Sequence, residues 1–426
     1  MSRPVIVSAR RTAVGSFGGS LKDISAAELG SVVVKDVLKK AGVRPIVSKK
    51  MKEKRPDRTR RRELSEIGEQ YNQWEDTLTK VELDEVIMGH VLQGGQGQNT
   101  ARQASIKAGI PVETNAYTVN KVCASGMKAV ALACQEIRTG EAEAIVAGGM
   151  ENMSQAPYVL PDLRWGGRMF DKQAKDLMVL DGLYEIFYDY HMGVTAENIA
   201  SLYDISRIDQ DKLGLESNKR AMKATESGRF NDEIVPLKIE SSADGKELLH
   251  KDECPMDTSL EKMSNLPPVF KDDGTVTAGN ASGISDGAAA LLITSEHFAN
   301  EHDLAIMAYC NGESSGGVDP KYMGLGPIPA TRKLMSRNRR SISDYQLVEL
   351  NEAFASQTLA CMEELGLDKE ITNVLGSGIS LGHPIGCTGA RILVTLAHEM
   401  EKRDLNTGLA TLCIGGGQGM AIELGR

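Results

Sequence analysis

Short apolar runs alternate along almost the whole chain with Ala-rich stretches whose apolar residues recur at helical spacing. Strand-like runs fall at Val5–Ala9, Glu85–Met88, Ala144–Ala147, Ala289–Thr294, Leu347–Leu350 and Leu409–Ile414. Helical patterns fall at Ala26–Ala41, Ser125–Arg138, Ala196–Tyr203, Gln210–Ser227, Ser356–Leu365 and Gly389–Lys402. Strands separated by helices of this length predict an α/β fold.

Two stretches resemble each other. Cys123-Ala-Ser-Gly leads into an Ala-rich helix, a charged turn and the strand Glu143-Ala-Ile-Val-Ala-Gly-Gly-Met. Cys387-Thr-Gly leads into Ala390–Lys402, a charged turn and Gly408-Leu-Ala-Thr-Leu-Cys-Ile-Gly-Gly. The shared order of turn, buried helix, polar link, strand and Gly-Gly predicts two related halves. The expected division is an N-terminal half over 1–153 that resumes at about 284–304, a loop domain over 154–283 lying above the site, and a C-terminal half over 305–426. Residues 44–78 stand apart: a basic run from Lys49 to Arg62 is followed by acidic sequence from Glu63 to Asp76. Charge blocks of this kind read as a solvated surface insertion.

Composition narrows the function. A chain of 426 residues with 41% hydrophobic and 25% charged residues makes a large globular core. Aromatic residues are only 4% while glycines number 43, so the interior is built from small aliphatic side chains with close backbone contacts. The net charge of −9 argues against nucleic-acid binding. Seven dispersed cysteines without a Cys-x-x-Cys pair indicate neither a zinc site nor a disulfide framework, and a reducing, cytoplasmic setting fits. No apolar run reaches membrane-spanning length and no cleavable presequence or targeting address is evident.

The candidate chemistry lies in Gly-rich turns. Cys123, followed by small residues at a helix start, is a candidate nucleophile, because a helix N-terminus favours thiolate. His383, between Gly382 and Pro384, sits where a helix begins and can take a thiol proton or donate to an oxyanion. Cys413 closes an apolar strand before three glycines, where its proton can exchange with substrate and the Gly415 N–H can help to bind an anion. Asn351 follows a strand and can orient a water, and Ser282 lies in a Gly- and Ala-lined turn suited to a narrow tunnel. Each residue alone is more ordinary: an inert buried cysteine or a turn histidine. Together they outline covalent acyl transfer.

Val122-Cys-Ala-Ser-Gly-Met, Gly148-Gly-Met-Glu-Asn-Met-Ser, Thr277-Ala-Gly-Asn-Ala-Ser-Gly, Asn351-Glu-Ala-Phe-Ala, Gly382-His-Pro-Ile-Gly and Cys413-Ile-Gly-Gly-Gly, in this order, resemble the signatures of the thiolase family over nearly the whole chain. His191-Met-Gly and Met323-Gly-Leu-Gly-Pro-Ile-Pro-Ala resemble its short-chain biosynthetic branch. The resemblance implies a five-layered αβαβα fold, two similar mixed-sheet halves with an inserted loop domain. It implies reversible condensation of two acetyl-CoA to acetoacetyl-CoA and CoA, with broader-chain 3-ketoacyl-CoA thiolysis as the alternative. CoA thioesters would be substrates, with no cofactor and no metal, and the enzyme would be a homo-oligomer, a tetramer in preference to a dimer. By matching positions, Cys123 would carry the acyl group, Cys413 would exchange the α-proton, and His383 with a water held by Asn351 would serve the thioester oxygen. The N–H groups of Cys123 and Gly415 would stabilise tetrahedral intermediates. Ser282, Ala278, Gly283, His191, Met192, Phe270, Met323, Ala353 and Phe354 would line the pantetheine and acyl tunnel.

The chain departs from that family pattern at Ser285, at Leu375 and Ser377, in the length of 44–78, and over Asp252–Ser259, which lacks an arginine. Two enzyme rivals fare worse. A ketoacyl-ACP synthase would have no second catalytic cysteine. A serine hydrolase built on Gly378-Ile-Ser-Leu-Gly would need an acid between Ser380 and the last histidine, His398, and none is there.

Overall fold

A computed structural model describes residues 2–60, 65–239 and 247–426. The main sheet comprises β1 (Pro4–Thr12), β2 (Glu85–Gly89), β3 (Asn115–Val119), β4 (Ala144–Asn152), β5 (Ser285–Ser295), β6 (Ala308–Gly317), β7 (Leu347–Leu350), β8 (Thr407–Ile414) and β9 (Gln418–Gly425). The principal helices are α1 (Ala26–Lys40), α2 (Thr100–Lys107), α3 (Ser125–Thr139), α4 (Met192–Leu202), α5 (Arg207–Glu226), α6 (Pro327–Asn338), α7 (Ala355–Leu365) and α8 (Ile385–Arg403). Every strand and helix expected from periodicity is present. β3, β6, β9, α2 and α6 were not anticipated. β6 carries the polar sequence Glu313-Ser-Ser and β9 the run Gln418-Gly, so neither looks like a buried strand in isolation.

The strand order β3-β2-β4-β5-β1 in the first half recurs as β7-β8-β9-β6 in the second, where a parallel bridge from Val348 to Thr372 takes the place of β3. In each half the two outermost pairings at the helix-connected edge are parallel and the others along this order antiparallel; the short strand Ile234–Val235 adds to β1 in parallel, off the main path. The sheets expected as two are joined: Val5 pairs with Tyr309 and Ile6 with Ala308, so β1 and β6 make one continuous sheet. Three apolar cores give the five layers. α1 and α2 cover one face of the first half, α3 and α8 lie between the two halves, and α6 and α7 cover the second half.

α3 and α8 cross at glycines because any side chain would collide with backbone. A Cβ on Gly389 would lie 2.6 Å from the Met127 nitrogen, and one on Gly126 would lie 2.8 Å from the Ala390 nitrogen. This crossing sets the site, since both helices start in the turns that carry the candidate chemistry. It also corrects the repeat register. Cys123 stands two residues before α3, and the residue two before α8 is His383. Cys387, matched to Cys123 on sequence, is inside α8 and 1% exposed.

Between β4 and β5 the chain forms α4, α5 and several short strands. α5 starts at the Ser206 cap, whose hydroxyl accepts from the Asp209 N–H. The Asn280 amide donates to Asp211 of α5 at 2.9 Å.

Residues 44–78 are more integrated than their charge suggests, with positions 61–64 of the charge block outside the described residues. Val43–Pro45 pairs in parallel with Thr79–Val81. Arg55 is 9% exposed and bonds Glu113 at 2.6 Å, and the Trp74 indole donates to the Gly109 carbonyl at 2.9 Å. The free-surface reading therefore holds only in part: this segment packs on the turn that follows α2.

Candidate active site

Cys123 is presented by a strained turn. Val122 has φ +47°, a conformation that costs a β-branched residue about 1–3 kcal/mol. The turn is held by the Asn120 side chain, which accepts from the Val122 N–H at 3.0 Å. The Ser125 hydroxyl accepts from the Lys121 N–H at 2.8 Å and donates to the Val122 carbonyl at 2.6 Å. The N–H groups of Gly415 and of Cys123 itself point at the Cys123 sulfur. They favour thiolate, but burial outweighs them and pushes the thiol up to about 11.

His383 has one defined tautomer. Its Nδ1 is 2.6 Å from the Thr388 hydroxyl oxygen, and the Thr388 hydroxyl donates to the Pro384 carbonyl at 2.9 Å. A hydroxyl has one proton, so Nδ1 carries the hydrogen in the histidine–threonine bond and Nε2 keeps its lone pair. Burial, with the positive charge of Arg391 adding to it, pushes this imidazole down to about 3. A neutral Nε2 acceptor is the form a proton-abstracting base requires.

Cys413 is fully buried at the end of β8, within an apolar cluster containing Met192, Met323 and Phe354. Burial first, then the neighbouring Cys123, raises its pKa well above the usual thiol range. Asn351 leaves β7 with its N–H donating to the Thr411 carbonyl at 3.0 Å. Its side-chain oxygen and nitrogen are buried with no partner among the described residues.

Cys123, His383 and Gly415 open onto one apolar cavity of about 380 Å³. Ser282, Ala278, Gly283, His191, Met192, Phe270, Met323, Ala353 and Phe354 line the same cavity. Neither Cys413 nor Asn351 lines it, but Cys413 packs against Met192, Met323 and Phe354, which do. The Ser282 turn is tied to the Phe354 segment: the Ser282 N–H donates to the Ala353 carbonyl at 3.0 Å, and Ala281 pairs with Phe354. His191 stacks on Phe270 with centroids 4.7 Å apart, and Phe270 meets Phe354 edge-on at 6.3 Å. Met192 lies over Gly415, where a Cβ would be 2.7 Å from its terminal methyl.

Sequence reasoning missed part of the wall. Met153, Gly182, Leu183, Ile284 and Ile385 also line the cavity. Gly182 and Leu183 come from a π-helical turn, Met178–Leu183, a rare conformation found mostly at functional sites. Its sequence carries no periodic signal. Ser285, one of the departures, bonds the Gly283 carbonyl at 2.8 Å beside this wall. Asp252, from the stretch without arginine, is committed to a buried bidentate pair with Arg11 at 2.6 and 2.9 Å. Ser380 is fully buried and bonded to Ser217 at 2.8 Å, so it is no exposed hydrolase nucleophile.

Residues 4–51 and 62–297 match the description of the thiolase N-terminal domain, and residues 299–426 that of the thiolase C-terminal domain. The chain belongs to the thiolase family. It is 48% identical over 422 residues to the acetyl-CoA acetyltransferase of Syntrophomonas wolfei, covering 98% of both chains. It is 47% identical over 427 residues to that of Cupriavidus necator, covering 100% of both. Among solved structures, it resembles the acetyl-CoA acetyltransferase of Bacillus anthracis with a TM-score of 0.89 and 42% identity, covering 100% of this chain and 99% of that one. It resembles human mitochondrial 3-ketoacyl-CoA thiolase with a TM-score of 0.89 and 38% identity, with the same coverage. Within this thiolase, the N-terminal match skips residues 52–61, inside the charged segment.

Proposed function

We propose that this thiolase is an acetyl-CoA C-acetyltransferase that condenses two acetyl-CoA to acetoacetyl-CoA and CoA, and catalyses the reverse thiolysis. The observation that carries the reading is the meeting of Cys123, a neutral His383 and the Gly415 N–H on one apolar cavity, with a second thiol, Cys413, buried against its lining. As the Cys123 sulfur attacks the thioester carbonyl, its proton passes to His383 Nε2, and then to the departing CoA sulfur. The N–H groups of Cys123 and Gly415 donate to the tetrahedral oxyanion, each such donor being worth about 3–4 kcal/mol. After CoA leaves, Cys413 passes its own proton to His383, and the resulting thiolate takes the α-proton of the second acetyl-CoA. A thiol with a strongly raised pKa is the stronger base once ionised, which suits so weak an acid. The enolate attacks acetyl-Cys123, and the Cys123 thiolate so released takes the proton back from His383. CoA thioesters are the substrates, and the reacting groups all belong to the chain.

The relatives' names and the methionine-lined cavity support a short acyl group. No described helix is long and apolar enough to cross a membrane, and the seven cysteines are free, which supports a cytoplasmic setting. Self-association is supported by the apolar face of residues 158–170, where Trp165 and Phe170 are each 88% exposed, and a homotetramer is the form we expect.

The test is acetyl labelling. Wild type incubated with acetyl-CoA is expected to gain one acetyl group on Cys123 by peptide mass mapping. Cys123→Ala is expected to gain none. Cys413→Ser is expected to label normally yet lose condensation by at least about 100-fold, the scale of a lost general base. Labelling that persists in Cys123→Ala would overturn the reading. Faster thiolysis of 3-ketohexadecanoyl-CoA than of acetoacetyl-CoA would replace the short-chain assignment with the broader one.

A further inference from the structure

Glu151 sits in β4, fully buried, and no step of the reaction uses it. Its carboxylate accepts three backbone hydrogen bonds from two separate turns and lies against His90. One oxygen takes the Leu92 N–H at 3.2 Å and lies 3.1 Å from His90 Nε2. The other takes the Val91 N–H at 3.1 Å and the Gly386 N–H at 2.9 Å. His90 is itself 1% exposed, and its Nδ1 is 2.8 Å from the Thr100 hydroxyl.

We infer that Glu151, backed by His90, is a positioning residue that clamps the His383 turn of the second half to the Cys123-bearing first half. Gly386 is three residues beyond His383 and opens α8. β4 and the 90–92 turn belong to the first half, as does α3 behind Cys123. A Cβ on Gly386 would lie 2.7 Å from the Glu151 carboxylate, so the close approach requires glycine. Burying this carboxylate is costly, and its charge adds only slightly to the burial that raises the Cys123 thiol. The three N–H donors and the His90 contact offset the burial, and the gain is a fixed relation between base and nucleophile. A displacement of 1 Å between reacting groups costs about 100-fold in rate.

The clamp rests on the acyl-transfer reading for its effect on rate, but its bonds can be tested without that reading. Glu151→Gln replaces one acceptor oxygen with an NH₂ that faces N–H donors. The expected result is faster hydrogen exchange at the Val91, Leu92 and Gly386 amides, and a fall in kcat of about 10- to 100-fold with KM for acetoacetyl-CoA within about threefold. His90→Gln keeps a neutral donor for Glu151, and is expected to recover most of the kcat that His90→Leu loses. These two variants carry the test if Glu151→Gln does not fold. Faster exchange with kcat near wild type would make Glu151 merely structural and overturn the inference, as would equal losses in His90→Gln and His90→Leu. Failure of wild-type Cys123 to acetylate would sink the acyl-transfer reading alone, leaving hydrogen exchange to judge the clamp.

Discussion

With the Cys123 thiol pushed up to about 11, the resting nucleophile is protonated at neutral pH and the proton must leave as attack proceeds. Raising the pH increases the thiolate fraction, so alkylation of Cys123 by iodoacetamide is expected to rise about tenfold per pH unit from pH 7 to 9, without a plateau. A plateau below pH 8 would show an already ionised thiol. His383, pushed down to about 3, stays neutral over the same range and contributes no acid limb to kcat above pH 5. Thr388 fixes which nitrogen takes the proton. Thr388→Val leaves Nδ1–H unpaired and frees the ring to turn, with kcat expected to fall about 10- to 100-fold. Thr388→Ser keeps the acceptor and should stay within about threefold of wild type in the same assay.

At the scale of elements, the crossing of α3 and α8 decides where the two candidate catalytic turns meet. Gly389→Ala would place a methyl 2.6 Å from a backbone nitrogen and push the helices apart. Overpacking of this kind costs about 1–3 kcal/mol, to be read from the urea midpoint. Because Cys123 and His383 stand at the starts of these helices, kcat should fall as well. A stable variant with unchanged kcat would mean that the turns are placed independently of the crossing. α1, by contrast, is specified locally. Ser25 and Glu28 form a capping box, and the helix lays an apolar face on the sheet.

For the whole molecule, the charged segment tests how far the site depends on its surroundings. None of the described residues within 44–78 lines the cavity. Replacing the segment with a short Gly-Ser link would remove Arg55 from Glu113 and Trp74 from Gly109. We expect a loss of several degrees in Tm, since breaking a buried pair leaves an uncompensated charge. Thiolysis per folded molecule should remain near wild type. A KM for CoA that rises strongly, mimicked in wild type by salt, would instead assign the basic run to substrate attraction.

The sequence by itself determined the candidate reacting residues, because Cys123, His383 and Cys413 lie in glycine-rich turns whose chemistry is local. It also determined the principal strands and helices, because their apolar period is set by neighbours along the chain. Only the tertiary structure decided that His383, and not Cys387, is the counterpart of Cys123, since the start of α8 depends on its packing against α3. It alone revealed β6 and β9 as strands, because what holds their polar stretches extended is the long antiparallel pairing of each with the other. The π-turn at Met178–Leu183, the Thr388 bond and the Glu151 clamp were likewise hidden. Glu151 and Gly386 are far apart in sequence, and their hydrogen bond leaves no period or spacing to read; it exists only once the two halves have closed on each other.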